Sequence, residues 1–192
     1  MIAKYFETIK CFDYEVFNLN YHKKRISNTI GLNINLEEYI YPPNEQLLKC
    51  KVIYSDIGII DIEYSAYNKK NIKSFELVYN DDIQYSKKSI NRICIDNIKN
   101  NSKEDDIIIV KNNLITDTSI ANIAIFLDNQ WITPNTPLLI GTTRNRYIEN
   151  NLLVTKDITV KMLQESKKIA LLNAMIDFDI IEKYTIKDKH DK

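Results

Sequence analysis

The sequence predicts an α+β fold in two small lobes, and three observations support this prediction. Runs of β-branched and aromatic residues at alternating positions cover much of 49–79 and indicate strands. Helix-compatible segments accompany strand runs in both halves of the chain, which is typical of the α+β class. A polar break at 79–82 separates the halves. We therefore predict a small N-terminal α/β lobe at 1–79 and a larger C-terminal lobe at 80–192.

The N-terminal lobe begins with a predicted hairpin and helix. Asn18 or Asn20 can cap the start of this helix, and Gly31 can end it. The predicted elements in chain order are two short strands within 2–18, a helix over 20–30, a short helix over 36–41, and strands at 49–56, 58–67 and 72–79.

The C-terminal lobe mixes buried strands with helices. Ile107–Val110 is apolar at every position, which indicates a strand buried on both faces. Apolar residues between Ile158 and Leu172 can form the buried side of a long helix. The predicted elements in chain order are a helix over 89–100, strands at 105–110, 114–116, 120–127 and 131–134, helices over 144–150 and 158–174, and a strand at 178–186.

Composition and charge narrow the class of protein. The 192 residues include 44% hydrophobic and 27% charged residues, an ordinary globular composition. The 26 basic and 26 acidic side chains balance, which argues against nucleic acid or an anionic membrane as a partner. Residues 1–7 lack the apolar stretch of a signal peptide, and no apolar run is long enough to span a bilayer. We expect a cytoplasmic protein.

Scarce residue types exclude several kinds of site. The three cysteines are isolated and the only histidines are His22 and His190. These side chains are too few and too far apart in sequence for a zinc site or a histidine-based triad. We expect no metal. The three glycines, Gly31, Gly58 and Gly141, are too few for a glycine-rich phosphate loop. Any bound phosphate must therefore be held by a site other than a glycine-rich loop.

Three short motifs occur in order between residues 88 and 144. Lys88-Ser89-Ile90-Asn91-Arg92 offers an amine, and Asp117-Thr118-Ser119-Ile120-Ala121-Asn122 offers a carboxylate. Gly141-Thr142-Thr143-Arg144 forms a turn rich in hydroxyl and backbone N–H groups. An amine, a carboxylate and an anion cradle are the three groups that a pyridoxal 5′-phosphate (PLP) enzyme requires.

These motifs resemble those of the class IV aminotransferase family, the fold-type IV PLP enzymes. The resemblance adds segments that match the family's opening strand, its H-x-x-R helix and its T-P dipeptide. The matching segments are Phe6-Glu7-Thr8-Ile9, His22-Lys23-Lys24-Arg25, Lys88 to Arg92, Asp117 to Ile123, Thr133-Pro134, Gly141 to Arg144 and Leu172 to Met175. The resemblance implies a two-lobed fold like that of D-amino-acid aminotransferase, with PLP as cofactor.

Lys88 is the predicted cofactor lysine. A buried or hydrogen-bonded lysine loses its proton more readily, and the neutral amine can form a Schiff base with an aldehyde. Lys87 is the rival, because an extended 85–88 would point the two side chains to opposite faces. The spacing to Asn91-Arg92 selects Lys88. The alternative is that both lysines are merely solvated.

The resemblance assigns roles to the remaining site residues. Asp117 takes the place of the family's glutamate, which pairs with the pyridine nitrogen; it is one methylene shorter, so the backbone must come closer or a water must bridge. Asp117 as a turn residue is the alternative. Asn122 is expected to order the loop behind Asp117, and Arg25 to bind the phosphate. Gly141, Thr142 and Thr143 precede a predicted helix, where N–H groups favour an anion.

The substrate is less well determined than the cofactor. The segment Thr133 to Leu139 and the short chain most resemble proteins allied to 4-amino-4-deoxychorismate lyase, which release p-aminobenzoate and pyruvate for folate synthesis. An aminotransferase acting on branched-chain or D-amino acids is the second hypothesis. A catalytically silent relative is the third. The resemblance also implies a small amino substrate and a homodimer.

Overall fold

The fold of residues 2–188, described by a computed structural model, is α+β as predicted. The chain divides into two compact units. The first comprises the described part of Met1–Lys69 together with Lys87–Asn91, and the second comprises Lys70–Ser86 with the described part of Arg92–Lys192. Among the described residues, no helix has the length and apolar character needed to cross a membrane.

The first unit is a small antiparallel sheet with one helix. Its elements are strands β1 (Tyr5–Phe12) and β2 (Glu15–Val16), helix α1 (Leu19–Ile30), a 3-10 turn (Leu36–Glu38), and strands β3 (Leu48–Ser55) and β4 (Gly58–Ala66). The strand order is β2-β1-β3-β4, with antiparallel pairing throughout. Helix α1 ends at Gly31, whose φ of 77° is readily adopted by glycine.

The Lys88 segment extends the first sheet at the open edge of β1. Ser89 forms an antiparallel bridge with Tyr5, and the Phe6 N–H donates to the Lys88 carbonyl oxygen at 2.9 Å. The Ile90 N–H donates to the Lys4 carbonyl oxygen at 3.1 Å. The backbone from the Lys88 carbonyl to Ile90 is therefore fixed by the sheet, although these residues lie far from β1 in sequence.

The second unit is a larger mixed sheet with three short helices. Its elements are β5 (Ser74–Tyr79), α2 (Ile93–Asn101), β6 (Asp106–Lys111), β7 (Leu114–Thr118), β8 (Asn122–Leu127), β9 (Gln130–Pro134), α3 (Thr142–Glu149), β10 (Val154–Lys156), α4 (Val160–Glu165), β11 (Ile169–Asn173), β12 (Asp177–Ile181) and β13 (Thr185–Lys187).

The second sheet contains nine strands in the order β10-β9-β8-β7-β6-β5-β13, with β11 also paired to β8 and β12 paired to β11. Strand β6 is buried from Asp106 to Val110, which confirms the prediction of burial on both faces. Two-residue turns at Asn112-Asn113 and Asp128-Asn129 close the β6–β7 and β8–β9 hairpins, and all four residues have positive φ. These hairpins place β7 in the middle of the sheet, where its end residues are buried.

The prediction of one helix over 158–174 is wrong. Helix α4 ends at Glu165, and Ile169–Asn173 is a strand between β8 and β12. Ile169 and Leu171 belong to one apolar cluster, whereas Ala170 and Leu172 belong to another. Because both faces of this strand are buried, its residues form a continuous apolar run, and periodicity alone cannot distinguish such a run from a helix.

Several other boundaries differ from the predictions. The helix predicted over 89–100 begins at Ile93, because the residues before it join the first sheet. The segment predicted as a helix over 36–41 is a single 3-10 turn, and the strand predicted over 178–186 is two separate strands. The predicted boundary after 79 differs from the observed division after Lys69, because Ser74–Tyr79 pairs with β6 and β13 in the second sheet.

Candidate functional site

The β7–β8 hairpin brings Asp117 and Asn122 together. They are directly paired residues at the end of β7 and the start of β8. The turn between them is held by the Thr118 N–H, which donates to the Ala121 carbonyl oxygen at 2.9 Å, and by the Thr118 hydroxyl, which accepts from the Ala121 N–H at 3.1 Å. A spacing of five residues in sequence therefore becomes a cross-strand contact, which explains why the motif has an aspartate and an asparagine at this interval.

The Asp117 carboxylate is buried and held by two donors. Asn122 Nδ2 donates to Oδ1 at 2.6 Å, and the Leu139 N–H donates to Oδ2 at 2.8 Å. Asn122 Nδ2 also donates to the Leu139 carbonyl oxygen at 2.8 Å. Burial raises the pKa of Asp117 to about 6, although the hydrogen bonds from Leu139 and Asn122 and the charge of Arg144 oppose this shift. The site therefore contains a fixed carboxylate that a further cationic donor would stabilise.

The raised pKa of Asp117 predicts a pH-dependent stability. The group binds its proton more tightly in the folded state than in the unfolded chain, where its pKa is near 3.8. The stability due to this proton is complete below pH 3.8 and is lost as the pH rises through about 6. We expect the free energy of unfolding of the cofactor-free protein to fall by about 3 kcal/mol relative to an Asp117→Asn variant across this interval.

Urea titrations of both proteins between pH 3.5 and 7.5 measure this difference. The variant supplies the matched control, because an amide does not titrate and all other ionisable groups are unchanged. Parallel stability curves for the two proteins, or a wild type that gains stability relative to the variant with rising pH, would contradict a buried carboxyl of raised pKa.

Gly141 adjoins the same asparagine and begins helix α3. A Cβ built on Gly141 would lie 1.8 Å from Asn122 Oδ1, so a larger residue cannot occupy this place without displacing Asn122. The backbone of Gly141 is extended, with φ −75° and ψ 143°, so the requirement for glycine is one of space. The Asn145 N–H is bonded to the Gly141 carbonyl oxygen. Helical geometry gives the N–H groups of Thr142, Thr143 and Arg144 no intrahelical acceptor.

The second unit also contains a buried arginine for which no role was predicted. Arg144 is 5% exposed, and its Nη2 donates to the Pro134 carbonyl oxygen at 2.8 Å. Its charge acts on Asp117, and burial lowers its own pKa. Arg92 holds the turn after Asp117, because its Nη2 donates to the Ser119 carbonyl oxygen at 2.8 Å. Arg92 thus supports the turn that follows Asp117 through a hydrogen bond, whereas Arg144 acts on Asp117 through its charge.

In the first unit, Arg25 is paired with a buried glutamate. Arg25 Nε donates to Glu7 Oε1 at 2.8 Å, and Arg25 Nη2 donates to Glu7 Oε2. His22 Nδ1 lies 2.6 Å from the same Oε2. Glu7 and His22 both lie in segments that resemble the family, but their contact with each other was not predicted. The i, i+3 spacing of His22 and Arg25, which places both on one helix face, was the available signal.

The two neighbouring lysines point to different partners in the first unit. Lys87 is exposed, and its Nζ donates to the Thr29 carbonyl oxygen at 2.9 Å. Lys88 is half-buried, and its Nζ lies 4.6 Å from the centroid of the Phe6 ring. The two amines therefore lie in different surroundings, and the choice of Lys88 as the cofactor lysine stays a prediction.

Comparisons with known proteins agree with these motifs. A family model described as amino-transferase class IV matches residues 64–183. The chain belongs to the class IV aminotransferase family. It is 29% identical over 182 residues to an uncharacterized protein of Haemophilus influenzae, a match that covers 88% of this chain and 96% of the relative.

Solved structures show the same fold as this class IV aminotransferase family member. A candidate 4-amino-4-deoxychorismate lyase from Haemophilus somnus superposes with a TM-score of 0.83 at 28% identity, covering 90% of this chain and 96% of that one. A hypothetical aminotransferase from Mycobacterium tuberculosis in its PLP-bound form has a TM-score of 0.76 at 15% identity, covering 95% and 81%. The prediction of a fold-type IV architecture is confirmed.

The structure groups the predicted site residues by unit. The second unit brings Asp117, Asn122 and Gly141 into contact, and Thr142 and Thr143 follow Gly141 at the start of α3. The first unit contains the other two predicted residues, Arg25 and Lys88.

Proposed function

We propose that this protein is a PLP-dependent lyase that converts 4-amino-4-deoxychorismate to p-aminobenzoate and pyruvate. The observation that carries the proposal of PLP is the buried Asp117 carboxylate, held by Asn122 and the Leu139 N–H, beside the helix start at Gly141. This geometry fits a ligand that has a cationic ring nitrogen and an anionic group. We propose that PLP uses Arg25 and Lys88 together with Asp117, Asn122, Gly141, Thr142 and Thr143.

Residues of the second unit supply the ring partner and part of the phosphate site. Asp117 would hold the protonated ring nitrogen, because a nearby cation favours the ionised form of its carboxylate. Asn122 orients Asp117 and does not contact substrate. The N–H groups and hydroxyls of Thr142 and Thr143 bind the phosphate at the N-terminus of α3. Because Asp117 is one methylene shorter than glutamate, its fixed backbone position determines whether it reaches the ring.

Residues of the first unit supply the reactive amine and a charged phosphate ligand. The Lys88 amine would hold the cofactor and, once released from it, would accept and donate protons at the substrate. The Arg25 guanidinium binds phosphate oxygens as a charged, planar donor. When bound, PLP supplies an electron sink for the carbon–oxygen cleavage that releases pyruvate.

The choice of a lyase depends on the likeness to the Haemophilus somnus protein, which spans almost the full length of both chains. The family name and the PLP-bound Mycobacterium tuberculosis structure leave an aminotransferase of branched-chain or D-amino acids as the second candidate. Both reactions use the same amine and ring partner, so the proposed cofactor site does not distinguish them. Activity assays distinguish the lyase from the aminotransferase.

Purified protein loaded with PLP is given 4-amino-4-deoxychorismate without any keto acid, and pyruvate and p-aminobenzoate are quantified. We expect the two products in equal amounts. Equal amounts of protein are tested with branched-chain or D-amino acids and 2-oxoglutarate, where an aminotransferase would produce glutamate. Glutamate without pyruvate release would replace the lyase by the aminotransferase. PLP binding without either activity would indicate a catalytically silent relative, and no PLP binding would reject the proposal as a whole.

We further propose that the protein is a cytoplasmic homodimer with a small-molecule amino substrate. The family resemblance carries this proposal, and the balanced charge gives no reason to add nucleic acid or a membrane as partner. Light scattering after size-exclusion chromatography measures the mass, which we expect to be twice that of the 22.5 kDa chain. A monomer at micromolar concentration would contradict the homodimer.

A further inference from the structure

A buried charge cluster in the first unit joins strand β1 to helix α1. Glu7 is fully buried, and it accepts hydrogen bonds from Arg25 Nε at 2.8 Å and from Arg25 Nη2. His22 is also fully buried, and its Nδ1 lies 2.6 Å from Glu7 Oε2. All three side chains belong to the same unit, so their contacts depend only on how β1 packs against α1.

Burial and the contact with Arg25 act on the charge states of Glu7 and His22. Burial by itself would raise the pKa of Glu7, but the charge of Arg25 and the hydrogen bonds from His22 and Arg25 lower it to about 2. Burial lowers the pKa of His22 against the opposing effect of Glu7, and the charges of Arg25 and Lys88 lower it further. The ring is therefore neutral near pH 7. Because an ionised carboxylate only accepts, His22 Nδ1 carries the hydrogen and donates to Glu7.

The contact with Glu7 uses one edge of the Arg25 guanidinium. Nε and Nη2 form this edge, and the planar group has a second edge formed by Nη1 and Nη2. A carboxylate bound to one edge fixes the plane and direction of the other. A buried ion pair is a poor choice for packing alone, because an apolar side chain of similar volume is often equally stabilising. Glu7 thus does more than fill space.

We propose that Glu7 is a positioning residue that directs the second edge of Arg25 toward the phosphate of the cofactor. This inference rests on the proposed function, in which Arg25 binds that phosphate. His22 donates to Glu7 and limits its rotation, which makes the carboxylate a fixed support for Arg25. Glu7 itself does not touch the cofactor.

Glu7→Gln tests the proposal, because positioning and simple charge predict opposite results. Removing one negative charge next to Arg25 would strengthen anion binding if only net charge mattered. If Glu7 positions Arg25, the amide nitrogen of the introduced glutamine faces an N–H donor of Arg25 in place of an acceptor oxygen. Arg25 then turns away, and PLP binding weakens. We expect a roughly 10- to 100-fold rise in the dissociation constant for PLP. Pyridoxal, which lacks the phosphate, should bind both proteins equally.

Glu15→Gln is the matched control, since it removes the same charge from an exposed position of the same sheet. Its PLP and pyridoxal affinities should equal those of the wild type. An unchanged or tighter PLP affinity in Glu7→Gln would overturn the positioning role. Failure of wild-type protein to bind PLP at all would instead reject the proposed function, so the two failures are distinguishable.

A second measurement does not require a variant that folds. In ¹⁵N-labelled wild-type protein, the Nε–H resonance of Arg25 should be protected from solvent exchange both before and after PLP is added. Loss of this protection on loading would mean that phosphate competes with Glu7 for Arg25, and it would overturn the inference. Persistent protection in both states supports a Glu7–Arg25 ion pair that is formed before the cofactor binds.

Discussion

Lys88→Ala is expected to abolish covalent capture of PLP and to reduce turnover by roughly 10²- to 10⁴-fold or more. The amine at this position is the proposed attachment point and the proposed proton carrier. Alanine has no amine and can serve neither function. Borohydride treatment of PLP-loaded wild-type protein, followed by peptide mass analysis, should place a pyridoxyl group on Lys88. The variant should carry none.

Lys87→Ala is the matched control for this experiment. The two lysines are adjacent, but Lys87 is exposed and donates to the Thr29 carbonyl oxygen, whereas Lys88 is half-buried beside Phe6. We expect Lys87→Ala to retain covalent PLP and activity within a few-fold of the wild type. A pyridoxyl group found on Lys87, or one that persists in Lys88→Ala, would show that the cofactor lysine is misassigned.

Gly141→Ala is expected to lower the free energy of unfolding by about 3 kcal/mol and to weaken PLP binding. The new Cβ would lie 1.8 Å from Asn122 Oδ1, and the backbone conformation of Gly141 is one that alanine adopts freely. The effect must therefore come from displacing Asn122. Once displaced, Asn122 no longer donates to Asp117 at 2.6 Å or to the Leu139 carbonyl oxygen at 2.8 Å.

A double-mutant cycle isolates this contact. Asn122→Ala alone removes the hydrogen bonds to Asp117 and Leu139, and we expect a loss of about 2 kcal/mol. Adding Gly141→Ala in that background should cost little, because the atom that it would strike is gone. Urea unfolding of the four proteins measures the coupling. If Gly141→Ala destabilises the Asn122→Ala background as much as the wild type, the contact with Asn122 is not the reason for glycine at this position.

The local signals in the sequence predicted much of the first unit. Alternating residues placed β3 and β4 within one residue of their bounds, and Gly31 ended α1 as expected. The same signals failed for Ile169–Asn173, because a strand buried on both faces lacks the alternation of apolar and polar residues. They also left Ser74–Tyr79 in the wrong unit, since the choice of neighbouring strand depends on residues distant in sequence.

The candidate site shows the same division. Motif order and the family resemblance singled out Asp117, Asn122 and Gly141, but nothing in the sequence revealed that Gly141 makes room for Asn122. The Leu139 N–H that holds Asp117 belongs to a loop 22 residues away, and a backbone donor leaves no signature in residue type. The pairing of Glu7 with Arg25 likewise depends on the packing of β1 against α1.

The sequence by itself determined which chemical groups are available: one motif lysine, one motif aspartate, and a turn at Gly141 that opens a helix. It did so because the groups a reaction requires are a matter of residue type and local spacing. Only the tertiary structure decided the state of these groups. Burial sets the pKa of Asp117, and Glu7 fixes the plane of Arg25. Both effects arise from atoms brought close by folding, because electrostatic and steric forces depend on distance in space.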